Sequence, residues 1–245
     1  MAERIVTVER KNGSIIYTGS VERELAERDG IRHLTVIIAP YITDGASRGF
    51  LITHNRHDKQ LAKGKPCPEY SYNLFGGHCN PPDEGDGELI GHEVSEKFLL
   101  SNAMRELSEE LYRKAQADDI GAEELENRSG GQPIYGAPYP VREDELIPLG
   151  YISCEEKYDM EYSYLYALPV SSVNAQSVIA ADDYRRADGT KGNIALPSAI
   201  MSLDELRETH EKARPDAEVC NAITRLWNEQ NKAVYIKLRE LIGGA

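Results

Sequence analysis

Arg105-Glu106-Leu107-Ser108-Glu109-Glu110 is the stretch that decides how this chain is read, with Tyr70-Ser71-Tyr72-Asn73-Leu74-Phe75-Gly76-Gly77-His78 ahead of it. On a helix each residue advances about 100°. Glu106 and Glu110 therefore lie one turn apart on one face, with Glu109 beside them. Arg105 sits one turn before Glu109 and is placed to pair with it. Leu100, Met104, Leu107 and Leu111 recur at i, i+4, i+7 and i+11, which predicts a helix from about Ser95 to Ala117 anchored by that apolar stripe. Three carboxylates on one arc repel one another, so either their pKa values rise or a cation moves in. A hard divalent ion takes oxygen ligands; Mg²⁺ commonly takes one or two carboxylates plus substrate phosphates, and Mn²⁺ would serve in its place. Tyr70–Phe75 predicts a strand running into Gly76-Gly77. Glycine permits close approach of backbone to a ligand, and the Gly77 carbonyl is a further candidate metal oxygen. The plain alternative is a solvated glutamate-rich surface, common on helices.

Outward from this segment, Arg4–Glu9 and Ser14–Thr18 predict a hairpin around Lys11-Asn12-Gly13. Ser20–Asp29 has helical spacing. His33–Pro40 is dense in β-branched residues and predicts a buried strand, with Gly49–His54 as its partner. Residues 79–92 and 118–144, rich in Pro, Gly and polar residues, are expected to leave the core as loops. Leu146–Ile152 and Glu161–Pro169 predict two more strands, and Val170–Pro197 an irregular stretch. Ser202 with Glu205 forms a capping box for a short helix, and Asp216–Ile242 predicts a long terminal helix. Strands interspersed with helices imply an α/β or α+β layered domain. One domain over 1–245 is expected, with a core of about 30–170 and a helical extension of about 200–245.

Lys plus Arg is 28 and Asp plus Glu is 41, a formal charge of −13. That excludes a general affinity for nucleic acid or an anionic membrane, which needs clustered positive charge. An anionic small molecule bridged by a divalent cation remains compatible. The four cysteines form no C-x-x-C pair, and a zinc site from Cys67, His78 and Cys79 lacks standard spacing. Reduced thiols and the absence of a signal-peptide pattern give a cytoplasmic expectation. Arg56, Lys59, Lys63 and Lys65 form a basic stretch that is either a phosphate contact or a solvated loop. The tyrosines at 135, 139, 158, 162 and 164 either stack a base or pack the core.

The segment Arg105–Glu110 with Gly77 ahead of it resembles the signature of the Nudix hydrolase superfamily: Gly, five residues, Glu, seven residues, then Arg-Glu-apolar-x-Glu-Glu-x-Gly-apolar. The resemblance implies an α/β/α sandwich with a mixed sheet, an inserted loop in the signature and an extra C-terminal helix. It implies Glu106 and Glu110 as principal metal ligands, Glu109 as a further ligand, and Arg105 as the residue that orients them. The chain departs from the pattern in two places. Gly77 to Arg105 spans 28 residues where the signature has 14, so the glutamate position falls on Lys97, with Glu96 or Glu93 as substitutes. Tyr112 replaces the later glycine, which predicts that the helix continues past Glu110.

Arg32–Val36, the basic stretch and Gly-Gly-His are similar to the branch related to isopentenyl-diphosphate isomerase. There a cysteine lies two residues before the histidine that corresponds to His78, and here that position is Gly76. A second metal histidine of that branch falls on Ala26. Hydrolysis is therefore favoured over isomerisation. Glu161 resembles a functional strand glutamate of this branch and is a candidate base or extra ligand, or else a salt-bridged structural residue. His78, with Arg56 and Lys59, is a candidate substrate contact; His33 and His78 also read as structural histidines. The expected reaction is hydrolysis of a nucleoside diphosphate linked to another group. An isomerase and a non-catalytic nucleotide sensor are the alternatives. A homodimer through the terminal helix is the oligomeric expectation.

Overall fold

The computed structural model describes residues 3–42, 44, 48–56, 70–82, 87, 89–114, 135–156, 159–185, 191–196, 198–212 and 217–242. β1 (Arg4–Lys11) and β2 (Ser14–Glu22) form the expected hairpin. Asn12 (φ 52) and Gly13 (φ 91) both take left-handed backbone, which matches a two-residue turn to the strand twist. α1 (Arg23–Asp29) starts later than Ser20 because Ser20–Glu22 still pair with β1. β3 (His33–Ile42) is buried along its whole length. β4 (Gly49–Arg56), β5 (Tyr70–Asn73) and β6 (Phe75–His78) follow, then α2 (Glu96–Glu110), β7 (Leu111–Lys114) and β8 (Tyr135–Pro138). Next come β9 (Ile147–Glu156), β10 (Asp159–Pro169), α3 (Ser172–Ser177), β11 (Val178–Arg185), β12 (Lys191–Leu196) and β13 (Ser198–Met201). The chain closes with α4 (Leu203–Glu211), β14 (Ala217–Val219), α5 (Asn221–Thr224), 3-10 turns at Arg225–Trp227 and Glu229–Asn231, and α6 (Lys232–Leu241).

β3 is the spine. It pairs in parallel with β10 and antiparallel with β1, β4 and β6, within a ten-stranded mixed sheet. Successive residues of a strand face opposite sides, and β3 serves two cores. Leu34, Val36 and Ile38 join Leu99, Ala103 and Leu107 of α2. Ile37, Ala39 and Tyr41 join Leu203, Leu206, Val234 and Leu238 of α4 and α6. Each fully buried aliphatic side chain contributes roughly 1.5–3 kcal/mol before the entropy of ordering is subtracted. The result is a mixed α/β fold with helices on both faces of a large sheet. Among the described residues no helix is long and apolar enough to cross a membrane.

Three expectations are corrected. α2 ends at Glu110, not near Ala117, and Leu111 takes extended backbone (φ −110, ψ 113). Leu111 is fully buried and pairs with Ala180, so the chain passes directly into a second, four-stranded sheet, β12-β11-β7-β8. Cross-sheet pairing ends the helix where local propensity does not. The helix is also rotated from the predicted stripe: Leu99, Ala103 and Leu107 are buried, while Leu100 and Met104 are only partly so. Second, the stretch from Val170 contains α3, β11 and β12; β12 pairs with the adjacent β11, and β11 with β7 far back along the chain. Third, Asp216–Ile242 is broken rather than one helix. β14 adds in parallel beside β5, and buried Asn231 accepts from the Ser153 N–H and donates to the Arg225 carbonyl at the break.

Candidate active site

β6 brings Gly76-Gly77-His78 alongside β3, with Gly76 opposite Ile37 and Gly77 opposite Val36. Gly77 therefore shares the sheet face of Val36, which α2 covers. A Cβ on Gly77 would lie 2.7 Å from Glu106 Oε1, so the missing side chain is what lets that carboxylate rest on the strand. Glu106 is 7 % exposed. Gly76 has φ +127, and a Cβ there would stand 2.1 Å from the Val36 carbonyl oxygen. Its N–H donates to Glu110 Oε2 at 2.8 Å.

Arg105 ties the cluster together. Its Nη2 donates to Glu106 Oε1 at 2.5 Å and to the His78 carbonyl at 2.8 Å, and its Nη1 reaches Glu109 at 3.2 Å. The predicted one-turn pairing of Arg105 with Glu109 is present. Burial pushes the Glu106 carboxyl up, and Arg105 offsets only part of that rise. Burial also acts against the Arg105 charge, but Glu106 and Glu109 outweigh it and its pKa rises.

These residues line a cavity of about 290 Å³ with Glu3, Arg23 and His78. Arg23 and Glu3 were not singled out in the sequence. Arg23 stands at the start of α1 and is held by Glu27 (2.8 Å) and Glu3 (3.2 Å). Only the i,i+4 pairing of Arg23 with Glu27 was visible locally, and it looks like any surface pair. Glu106, Glu109 and Glu110 line this cavity together, but they are not among the residues whose ligand atoms all lie within 4.8 Å of one another, so a hard divalent ion, which takes such oxygen donors, would need their side chains to converge on it. A buried carboxyl with a raised pKa is one that a cation would hold ionised. Gly77 stands on the wall, where it supplies room. Glu93 and Glu96 are exposed and are not among the cavity residues, and Glu93 bridges to Ile16.

Glu161 is not among the residues that line the cavity, although His78 is. It pairs in register with His33, and Ser163 with Thr35, so its side chain belongs to the sheet face of Ile37 that the C-terminal helices cover. The structure does not bring it to the acids of α2. Arg225, 4 % exposed, donates to Glu161 Oε2, and His33 Nε2 lies 3.4 Å from Oε1. Burial alone would raise the Glu161 pKa, but His33 and Arg225 hold it down at about 2. His33 Nδ1 lies 2.9 Å from the Ile31 carbonyl oxygen, which can only accept, so that nitrogen is protonated whether or not Nε2 is. Among the described residues, His33, His78 and Glu161 are the trio whose ligand atoms all lie within 4.8 Å. Two imidazoles and a carboxylate suit a transition-metal ion, which would compete with Arg225 for Glu161. His78 belongs to both places: it lines the cavity and its ring lies 5.1 Å from that of His33. Burial, then Arg23 and His33, push its pKa down to about 4, so it is neutral at neutral pH.

The Arg56 side chain and Lys59, Lys63, Lys65 and Cys67 lie outside the described residues. Cys79 is fully buried in the α2-side core, and burial pushes its thiol well above the usual range. Of the tyrosines, Tyr162 and Tyr164 pack in or against the core: Tyr162 takes Arg32 over its ring at 4.8 Å, and Tyr164 meets Tyr151 and Tyr166 at 4.7 and 5.0 Å.

Fold and cavity thus define a mixed α/β protein with a carboxylate-lined pocket at the end of a Gly-Gly strand. No protein-family model matches the chain, and no curated protein matches it. Among solved structures it is similar to a crystal structure described as a MutT/nudix family protein from Enterococcus faecalis. The identity is 10%, covering 86% of this chain and 74% of that one, with a TM-score of 0.30. At that level the likeness adds no weight to the reading built from the residues.

Proposed function

We propose that the chain is a divalent-metal-dependent hydrolase of the Nudix type, cleaving a diphosphate linkage in a nucleoside diphosphate joined to another group. The observation that carries this reading is the seating of α2 on the Gly-Gly turn. Glu106 rests against Gly77 and Glu110 takes the Gly76 N–H, beside one cavity that also holds Arg105 and Arg23. Glu106, Glu109 and Glu110 would hold Mg²⁺ or Mn²⁺. The bound ion supplies neutralisation of the diphosphate charge and a lowered pKa for water.

The remaining work falls to the chain itself. Arg105 fixes the rotamers of Glu106 and Glu109. Arg23, whose partners Glu3 and Glu27 are half-exposed, can exchange them for a phosphate oxygen. His78, neutral, offers a hydrogen bond without adding charge. Glu109 has the most exposed side chain of the two acids paired with Arg105, at 55%, and is the candidate to accept the proton of the attacking water. That oxygen bonds to phosphorus, the bridging P–O bond breaks, and the departing phosphate carries the released electron pair.

Purified protein with Mg²⁺ or Mn²⁺ and a panel of nucleotide sugars, dinucleoside polyphosphates and nucleotides tests the proposal. Glu110→Gln keeps an acceptor for the Gly76 N–H and removes the charge. It is expected to cost more than the ~10–100-fold typical of an outer-shell metal partner, and undiminished turnover in that variant discredits the site. Gly76 weighs against the isomerase reading: a cysteine Cβ has no space beside the Val36 carbonyl. A nucleotide sensor would bind members of the panel and turn over none.

A further inference from the structure

The C-terminal helices carry a second cavity of about 300 Å³, remote in the chain from the α2 acids and lined by residues of α4, α6 and the turns between them. We propose that it is a separate binding site for an aromatic anion of the nucleoside mono- or diphosphate class. Its charge is the first argument. The chain carries a formal charge of −13, yet this groove is lined by Arg207, Lys232 and Arg239 with the carboxylate of Glu229, and that of Glu211 pairs with Arg207, so the cations still outnumber the acids. Arg207 and Lys232 are held by Glu211 (3.0 Å) and Glu229 (2.8 Å) in pairs whose side chains are all more than half exposed. Such pairs are worth little in water, whereas a phosphate accepts charge-assisted hydrogen bonds from the same groups.

The second argument is the apolar lining. Trp227, Tyr235 and Ile236 stand among the cations, and Ile236 is 45 % exposed. Arg239, itself a lining residue, lies over the Tyr235 ring at 5.8 Å, and His210 packs on Trp227 at 5.4 Å, so both rings are held by neighbours. The Trp227 indole N–H is buried and has no hydrogen-bond partner among the described residues, although a buried indole donor usually finds one. A groove for inorganic phosphate needs neither the aromatic lining nor this volume, which sits at the lower end of small-molecule sites. A phosphate joined to a base and sugar uses the cations, the rings and the space together.

Trp227 is the only tryptophan in the chain, so intrinsic fluorescence excited at the red edge of the indole band reads this groove directly. AMP, ADP, adenosine and inorganic phosphate are titrated into the full chain in the presence of EDTA, which removes metal-dependent binding at the other cavity. Saturable change is expected with AMP or ADP below about 1 mM, at least tenfold weaker with adenosine or phosphate. The response should disappear in Lys232→Gln/Arg239→Gln, with melting temperature unchanged, and persist in Glu110→Gln, so its outcome stands apart from that of the hydrolase reading. Equal binding of phosphate, no saturation, survival of the signal in the double variant, or a ligand-free fluorescence change that tracks protein concentration and dimer mass each overturns the proposal.

Discussion

Glu161→Gln separates a structural role for this residue from a catalytic one. The substitution keeps the shape and removes the charge, leaving the guanidinium of Arg225, 4 % exposed, without its carboxylate. In the folded chain the Glu161 pKa is about 2 against an ordinary 4.5, because His33 and Arg225 outweigh the effect of burial. A difference of that size corresponds to about 3 kcal/mol at neutral pH. Breaking a buried ion pair from one side costs a similar ~3–5 kcal/mol. For a chain of this length that is a fall of roughly 6–20 °C in melting temperature. The folded pKa is depressed, so the stabilisation is present above about 4.5 and is lost as pH falls from there towards about 2. Urea denaturation of wild type and variant across that range measures it. The other acidic groups titrate in both proteins and cancel in the difference, which should shrink as pH falls. Glu161→Leu/Arg225→Met should recover most of the loss, since an apolar pair replaces a buried ionic one at little cost. A difference below about 1 kcal/mol at neutral pH, or one that does not change with pH, refutes the reasoning.

Gly76→Ala should destabilise by roughly 2–6 kcal/mol. Left-handed strain costs about 1–3, and overpacking against the Val36 carbonyl adds about 1–3; melting temperature checks the sum. Gly77→Ala presses on the movable tip of Glu106 rather than on backbone, so folding should survive while the Mg²⁺ concentration for half-maximal activity rises, as a metal titration would show. Asn231→Ala removes the acceptor for the Ser153 N–H and the donor to the Arg225 carbonyl. It should cost about 1–3 kcal/mol in chemical denaturation, and it would be uninformative about the site if turnover per folded molecule also fell.

Several features were legible locally because neighbours in the chain determine them. The Asn12-Gly13 turn needs two residues that accept positive φ. The Ser202–Glu205 capping box closes within four residues, and both of its hydrogen bonds are present. Helical periodicity alone places Arg105 beside Glu109 and puts Glu106 and Glu110 on one side of α2. Other features depended on partners distant in the chain. The end of α2 is set by the pairing of Leu111 with Ala180, and the breaks after residue 216 by strand addition at Tyr70 and the hydrogen bonds of Asn231. Arg23 and Glu3 enter the cavity only because β1, β2 and α1 fold beside β6. The register of β10 on β3 turns Glu161 towards Arg225 and away from the acids of α2. A shift of one residue would have sent it to the other face, and register is a property of two strands together, which a single stretch of sequence does not contain.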